Sequence, residues 1–232
     1  MCDAMTIVVT NRCNLGCSFC IAPQVFERPQ VSSKAYLETL ERHRAAGLPI
    51  SSVLWTGGEP LLVPARLGTL LDWFELHYPT TEHRLNTNGL RFDRVDSAFL
   101  NRFTEIIVGL DGWCRSERNL KTLLEKRNYE FFARCGELDT RLRFRQVVTG
   151  KQLLQLDWWA DVLQLYQKLS VLGRPQTITR LVPYLNSPQP FSRYQTESLI
   201  AGVEQLRLAM PQNIEFDVEK VFGGRKCTCD IG

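Results

Sequence analysis

CNLGCSFC, residues 13–20, sets Cys13, Cys17 and Cys20 at C-x3-C-x2-C directly after a short β-branched run, MTIVVT (5–10). What lies either side of it decides the fold. KAYLETLERHRAAG (34–47) has helical character and ends on Gly47, a residue suited to the left-handed stop of a helix. SSVLWT (51–56) reads as a second strand. LLVPARLGTLLDWFELHYP (61–79) follows, with Leu67, Leu70, Leu71 and Phe74 spaced as one apolar helix face and Pro64 at its first turn.

The rhythm continues to the far end. Strands are predicted at HRLNT (83–87), EIIVGL (105–110), LRFRQVV (142–148) and TITRLV (177–182). Between and after them come a short helix over 94–101 and three longer ones. Leu120, Leu123, Leu124 and Phe131 mark the first, Trp159, Val162, Tyr166 and Leu169 the second, and Leu199, Ile200, Val203 and Leu206 the third. Six β-α units in succession predict a parallel sheet with helices outside, either a partial barrel open on one side or a doubly wound sheet. In both, ligands gather beyond the carboxyl ends of the strands. The distinctive segments fall there: CNLGCSFC after strand one, TGGEP after strand two, TNG after strand three and LDG after strand four.

Bulk properties narrow the class. The 232 residues are 44% hydrophobic and 23% charged, as in an ordinary globular domain, and the net charge of +3 is too small to argue for nucleic-acid binding. No apolar run is long enough to span a membrane, and the N-terminus MCDAMTIVVTNRC lacks a signal-peptide pattern, so a cytoplasmic location is expected. In a reducing compartment clustered thiols favour metal binding or catalysis over disulfides. Cys2, Cys114 and Cys135 are scattered and read as packed or idle thiols.

Structural zinc wants four ligands, and His43, His77 and His83 do not supply the missing one beside a second cysteine pair. A redox C-x-x-C leaves Cys13 unexplained. A [4Fe–4S] cluster held by three thiolates leaves one iron open, which is what chemistry needs and a structural site avoids. Gly16 lets the backbone wrap closely, and Leu15 and Phe19 limit water around the ligands.

CNLGCSFC closely resembles the cluster loop of the radical S-adenosylmethionine (SAM) enzymes, including the aromatic Phe19 before the last cysteine. TGGEPLL (56–62) resembles the family's GGEP segment, NTNG (86–89) its third-strand segment, and IIVGLDG (106–112) and LRFRQVVT (142–149) strands four and five of its peptide-modifying branch. The resemblance covers roughly residues 5–185. It implies an α/β fold, a partial (β/α)6 TIM-type barrel with parallel strands over 1–210, and a C-terminal extension over 211–232 that carries Cys227 and Cys229 as C-x-C. It also implies a [4Fe–4S] cluster on Cys13, Cys17 and Cys20. SAM would chelate the open iron and be cleaved to a 5′-deoxyadenosyl radical that takes a hydrogen atom from the substrate.

Site residues carry over by motif. Gly57, Gly58 and Glu59 would bind the SAM amino group, with Pro60 stiffening the exit. Phe19 would lie near the adenine, Arg143 or Arg145 would pair with the SAM carboxylate, and Asn88 and Asp111 would contact ribose or substrate. Asn88 alone also reads as a turn residue before Gly89. Gly109 replaces the family's strand-four serine. Trp55 and Trp113 are core residues or line the substrate mouth.

The resemblance favours a peptide or amino-acid-like substrate. A small metabolite or nucleotide is the alternative, supported by a local excess of basic residues between Arg115 and Arg145 (9 − 5 = 4). A glycyl-radical activase ranks lower, and an iron–sulfur electron carrier is the non-enzyme alternative. Flavodoxin or ferredoxin is the expected electron donor. A separate peptide-recognition protein fits the peptide reading. Cys227 and Cys229 read as a remnant of an auxiliary-cluster site, a ligand pair completed by Cys2 or another chain, or a surface dithiol in a non-ligand tail.

Overall fold

In a computed structural model of the chain, the described residues are 3–17, 20, 30–109, 129–148, 150, 152–155, 157–160, 163–164, 167, 178–183, 191–209 and 214–216. Among these residues seven strands form one sheet in chain order: β1 (Ala4–Thr10), β2 (Ser52–Gly57), β3 (Glu82–Thr87), β4 (Glu105–Gly109), β5 (Arg141–Val148), β6 (Ile178–Pro183) and β7 (Ile214–Phe216). Every neighbouring pair is parallel. Among the described residues β1 and β7 pair with one neighbour each, as in a partial barrel.

Burial explains the strand sequences. All of EIIVG in β4 is buried, as expected of a central parallel strand covered on both faces. β3 alternates, with His83, Leu85 and Thr87 inward. The chain returns through helices α1 (Ser33–Ala45), α2 (Pro64–His77), α3 (Ser97–Leu100), α4 (Tyr129–Glu137) and α5 (Arg193–Ala209).

Ser32 caps α1 by accepting the Ala35 N–H at 3.1 Å, and Gly47 beyond its end adopts φ 67°. In α2, Leu67, Leu70, Leu71 and Phe74 are wholly buried, each contributing about 2 kcal/mol relative to exposure. Phe74 meets the edge of Trp55 at 5.5 Å, and the Trp55 indole N–H donates to His83 Nδ1 at 3.2 Å. Trp55 is therefore core and does not line a substrate mouth. Side chains alternate along a strand, and this one points beneath the helix layer.

Other expectations are amended. The helix over 94–101 is a 3-10 turn (Phe92–Arg94) and a separate short α3, because Asp96 interrupts the run and caps α3 by accepting the Phe99 N–H at 2.6 Å. Ile200 is 42% exposed whereas Leu199, Val203 and Leu206 are buried. It lies about a quarter-turn round α5 from Leu199. α5 closes a second core cluster with Val148, Leu153 and Trp158, and Gly202 lets the Trp158 indole lie against the helix backbone.

β7 is a seventh strand where six were expected, and it lies in the stretch assigned to the extension. Leu120, Leu123, Leu124, Val162, Tyr166 and Leu169 fall outside the described residues.

Candidate functional site

The carboxyl ends of β1, β2 and β3 converge, and the hydrogen-bond ladder between β1 and β2 runs on past the strand ends. Gly58 N–H donates to Thr10 O and Glu59 N–H to Arg12 O, each at 2.8 Å. The GGEP loop thus lies backbone-to-backbone along the exit of β1, one residue short of Cys13. Both glycines are required by this approach. A Cβ at Gly57 would fall on the Thr10 carbonyl, where φ is also 147°, and a Cβ at Gly58 would fall on the Arg12 carbonyl.

Glu59 is wholly buried. Its Oε1 accepts the Leu61 N–H at 3.0 Å and the Thr87 hydroxyl at 2.7 Å, and its Oε2 accepts the Asn88 N–H at 2.7 Å. Burial pushes this carboxyl above the usual range, and the hydrogen bonds from Asn88, Thr87 and Leu61 work against that rise. The side chain ties the β2 loop to the β3 loop. Among the described residues its Oε2 takes one donor, which leaves that oxygen room for a further one.

Asn88 ties the third loop to the first. Its Oδ1 accepts the Leu90 N–H at 3.0 Å, forming a turn with Gly89 at φ 73°, and its Nδ2 donates to Asn14 Oδ1 at 2.8 Å. Asn14 stands between the first two cysteines. The sequence reading missed its role and that of Thr87, because each is defined by a partner distant in sequence.

Cys13 and Cys20 are exposed and Cys17 is half-buried; none of the three is in a disulfide. Cys20 N–H donates to Cys17 O at 3.1 Å, closing a turn, and Leu15 N–H points at Cys13 Sγ at 3.4 Å. Burial raises the Cys13 thiol pKa, and the charges of Glu59 and Cys20 act in the same direction. Among the described residues no three His, Cys, Asp or Glu side chains converge on a point where one metal ion would sit. Three adjacent thiols after one strand suit a cubane, since each thiolate takes a different iron and the sulfurs need not meet at one point.

The two strand-five arginines part company. Arg143 Nε donates to Glu105 Oε1 at 3.1 Å, near the start of β4, and Arg84 and Arg141 pair with the same carboxylate at 2.9 and 3.0 Å. Glu105 is 1% exposed. Burial raises its pKa, but Arg143, Arg84 and Arg141 outweigh that and hold it below the usual range. Arg143 is thus engaged away from the cysteine end of the sheet. Arg145 lies one side-chain repeat nearer that end, in register with Gly109, and its buried Nε has no acceptor among the described residues. An orphaned guanidinium donor is what an absent carboxylate would satisfy. Phe19, Asp111, Trp113, Cys227 and Cys229 lie outside the described residues.

The radical SAM superfamily model matches residues 7–138. Curated relatives include GTP 3′,8-cyclases of Streptomyces coelicolor, 29% identical over 97 residues (40% of this chain, 28% of the relative), and of Mycolicibacterium smegmatis, 32% identical over 114 residues (46% and 31%). These matches span under a third of the relatives' length. Among solved structures, anSMEcpe with bound AdoMet superposes with a TM-score of 0.62 at 15% identity, covering 97% of this chain and 67% of that one. Streptococcus suis SuiB bound to its precursor peptide SuiA gives 0.56 at 15% identity, covering 95% and 54%. Both likenesses concern the fold. No described helix is long and apolar enough to cross a membrane.

Proposed function

The chain belongs to the radical SAM superfamily, and from that premise we propose that it activates a C–H bond of a peptide or amino-acid-like substrate, with its cluster on Cys13, Cys17 and Cys20. It is an enzyme, and its cofactors are a [4Fe–4S] cluster and SAM. When bound, these supply an electron and a 5′-deoxyadenosyl group that takes a hydrogen atom from the substrate. The observation that carries the reading is the junction of CNLGCSFC with GGEP, joined by the Thr10–Gly58 and Arg12–Glu59 hydrogen bonds.

The chain's own groups have separable tasks. Cys13, Cys17 and Cys20 hold the cluster. The Gly57 and Gly58 backbone, with no Cβ to shield its carbonyls, accepts the SAM ammonium, and Glu59 adds negative charge nearby while bracing the loop. Arg145 binds the SAM carboxylate through its guanidinium, whose buried Nε has no acceptor among the described residues. Arg143 is left out of that role because Glu105 holds it. Asn88 holds the third loop to the first and stands where ribose or substrate arrives. Half-buried Leu15, with Phe19 and Asp111, shields or contacts the ligands as their motifs imply. A flavodoxin or ferredoxin supplies the electron, and a separate recognition protein presents the peptide.

The peptide reading is supported by IIVGLDG and LRFRQVVT. A small nucleotide is the second reading, supported by the GTP 3′,8-cyclase relatives. One experiment tests both levels. The protein is reconstituted anaerobically with iron and sulfide, given SAM and dithionite, and assayed for 5′-deoxyadenosine beside Cys17→Ala. Product from the native chain only supports the chemistry; equal product from both contradicts it. Acceleration by added GTP selects the nucleotide reading, and its absence favours the peptide reading.

A further inference from the structure

Among the described residues β1 is an edge strand, with no second strand there to satisfy the carbonyls at its exit. Val9 is wholly buried, and water cannot serve its carbonyl. Side chains take over. Tyr36 OH donates to Val8 O at 2.6 Å, and Gln30 Nε2 donates to Val9 O at 3.2 Å. Arg66, in the first turn of α2, reaches the same place from the GGEP side. Its Nη1 donates to Val9 O at 3.0 Å, its Nη2 donates to Val31 O, and its guanidinium lies 5.7 Å over the Tyr36 ring.

Edge capping accounts for only half of this arrangement. Gln30 and Tyr36 already supply donors to Val9 and Val8, whereas the bond to Val31 does nothing for the strand. Val9 precedes and Val31 follows the stretch that carries all three cysteines. One planar fork therefore grips both ends of that stretch, and Gln30 repeats the closure by also accepting from Thr10 Oγ1 at 3.4 Å. Fixing the ends of a loop removes conformations that the loop would otherwise lose when it closes on a ligand.

We propose that Arg66, assisted by Gln30, is a positioning residue for the iron–sulfur cluster: it joins the two ends of the cysteine loop to each other and to the helix that follows GGEP. The inference rests on the cluster assignment made above. Arg66 touches neither cluster nor SAM in this account; it acts through the placement of Cys13, Cys17 and Cys20.

The test uses the full chain with Arg66→Met, which keeps the apolar stem on Tyr36 and removes the donors, Arg66→Lys, and Gln30→Ala at an exposed position. Each is reconstituted anaerobically, and iron per chain, the EPR spectrum of the reduced cluster and the rate of bleaching by a chelator are recorded. Arg66→Met is expected to bleach about 10-fold faster with altered g-values, Arg66→Lys to recover part of the loss, and Gln30→Ala to move the same way by less. Native spectra and bleaching in Arg66→Met, with only the melting temperature lowered, would overturn the inference and leave the cluster assignment standing. Should Arg66→Met not fold, native bleaching in Gln30→Ala overturns it. No cluster in the native chain overturns both.

Discussion

Replacing Glu59 by glutamine keeps the shape of the side chain and removes one acceptor. Three donors now meet it: Leu61 N–H and Thr87 hydroxyl at Oε1, Asn88 N–H at Oε2. Glutamine has one oxygen. If that oxygen serves Leu61 and Thr87, the new NH2 faces the Asn88 N–H and both are stranded. If the amide flips, Leu61 N–H is stranded instead, because the Thr87 hydroxyl can rotate but a backbone N–H cannot. At least one hydrogen bond to a charged acceptor is lost in either case, worth about 1.5–3 kcal/mol, and a buried N–H is orphaned at about 1–3 kcal/mol more. Relief of the carboxylate's burial, evident in its raised pKa, offsets part of this. The net expectation is about 3 kcal/mol of destabilisation, or roughly 6–12 °C in melting temperature for a chain of this size. The assay is thermal unfolding of the cluster-free protein followed by circular dichroism, so that loss of cofactor does not enter. A melting temperature within about 2 °C of native would refute the view that Glu59 braces the β2 and β3 loops.

Three further outcomes follow from the same geometry. Gly58→Ala drives a methyl into the Arg12 carbonyl and breaks the ladder beside Cys13; iron bound per chain after reconstitution should fall well below native while far-UV circular dichroism is kept, and full iron content would contradict this. Glu105→Ala removes the buried carboxylate that Arg143, Arg84 and Arg141 share; with Arg84 and Arg141 partly exposed, urea unfolding should show a loss of about 3 kcal/mol, whereas a change under about 1 kcal/mol would mean the cluster of charges is idle. His83 is buried, its pKa pushed down to about 4 chiefly by burial, and its Nδ1 accepts from Trp55. The unfolded chain therefore binds a proton near pH 6.5 that the folded one refuses until about 4, so stability should fall as pH drops through this window. His83→Gln should remove up to one proton's worth of that slope, and an unchanged slope would assign it to other groups.

The placement of the motifs was legible because it depends on local period alone. Leu67, Leu70, Leu71 and Phe74 repeat at helical spacing and are buried as read, and the apolar IIV run behind Glu105 lies in the central strand it resembles. β7 escaped because Ile214–Phe216 is too short to show a period; only its pairing with β6 defines it. Glu59 shows a different limit. GGEP marked it as a charge for SAM, and nothing local revealed that Thr87 and Asn88, nearly thirty residues on, would claim its oxygens. Arg143 and Arg145 were equivalent by strand alternation, and their surroundings differ through Glu105 on the neighbouring strand, which pairs with Arg143, and through the register of Arg145 with Gly109. Arg66 had no signature at all, since its acceptors lie 57 and 35 residues away.

The most direct test of the central claim, that three thiolates leave one iron for SAM, is the EPR spectrum of the dithionite-reduced, reconstituted native chain recorded with and without SAM. The account predicts a [4Fe–4S]+ signal whose g-values shift when SAM is added. A reduced-cluster signal that SAM leaves unchanged would contradict it.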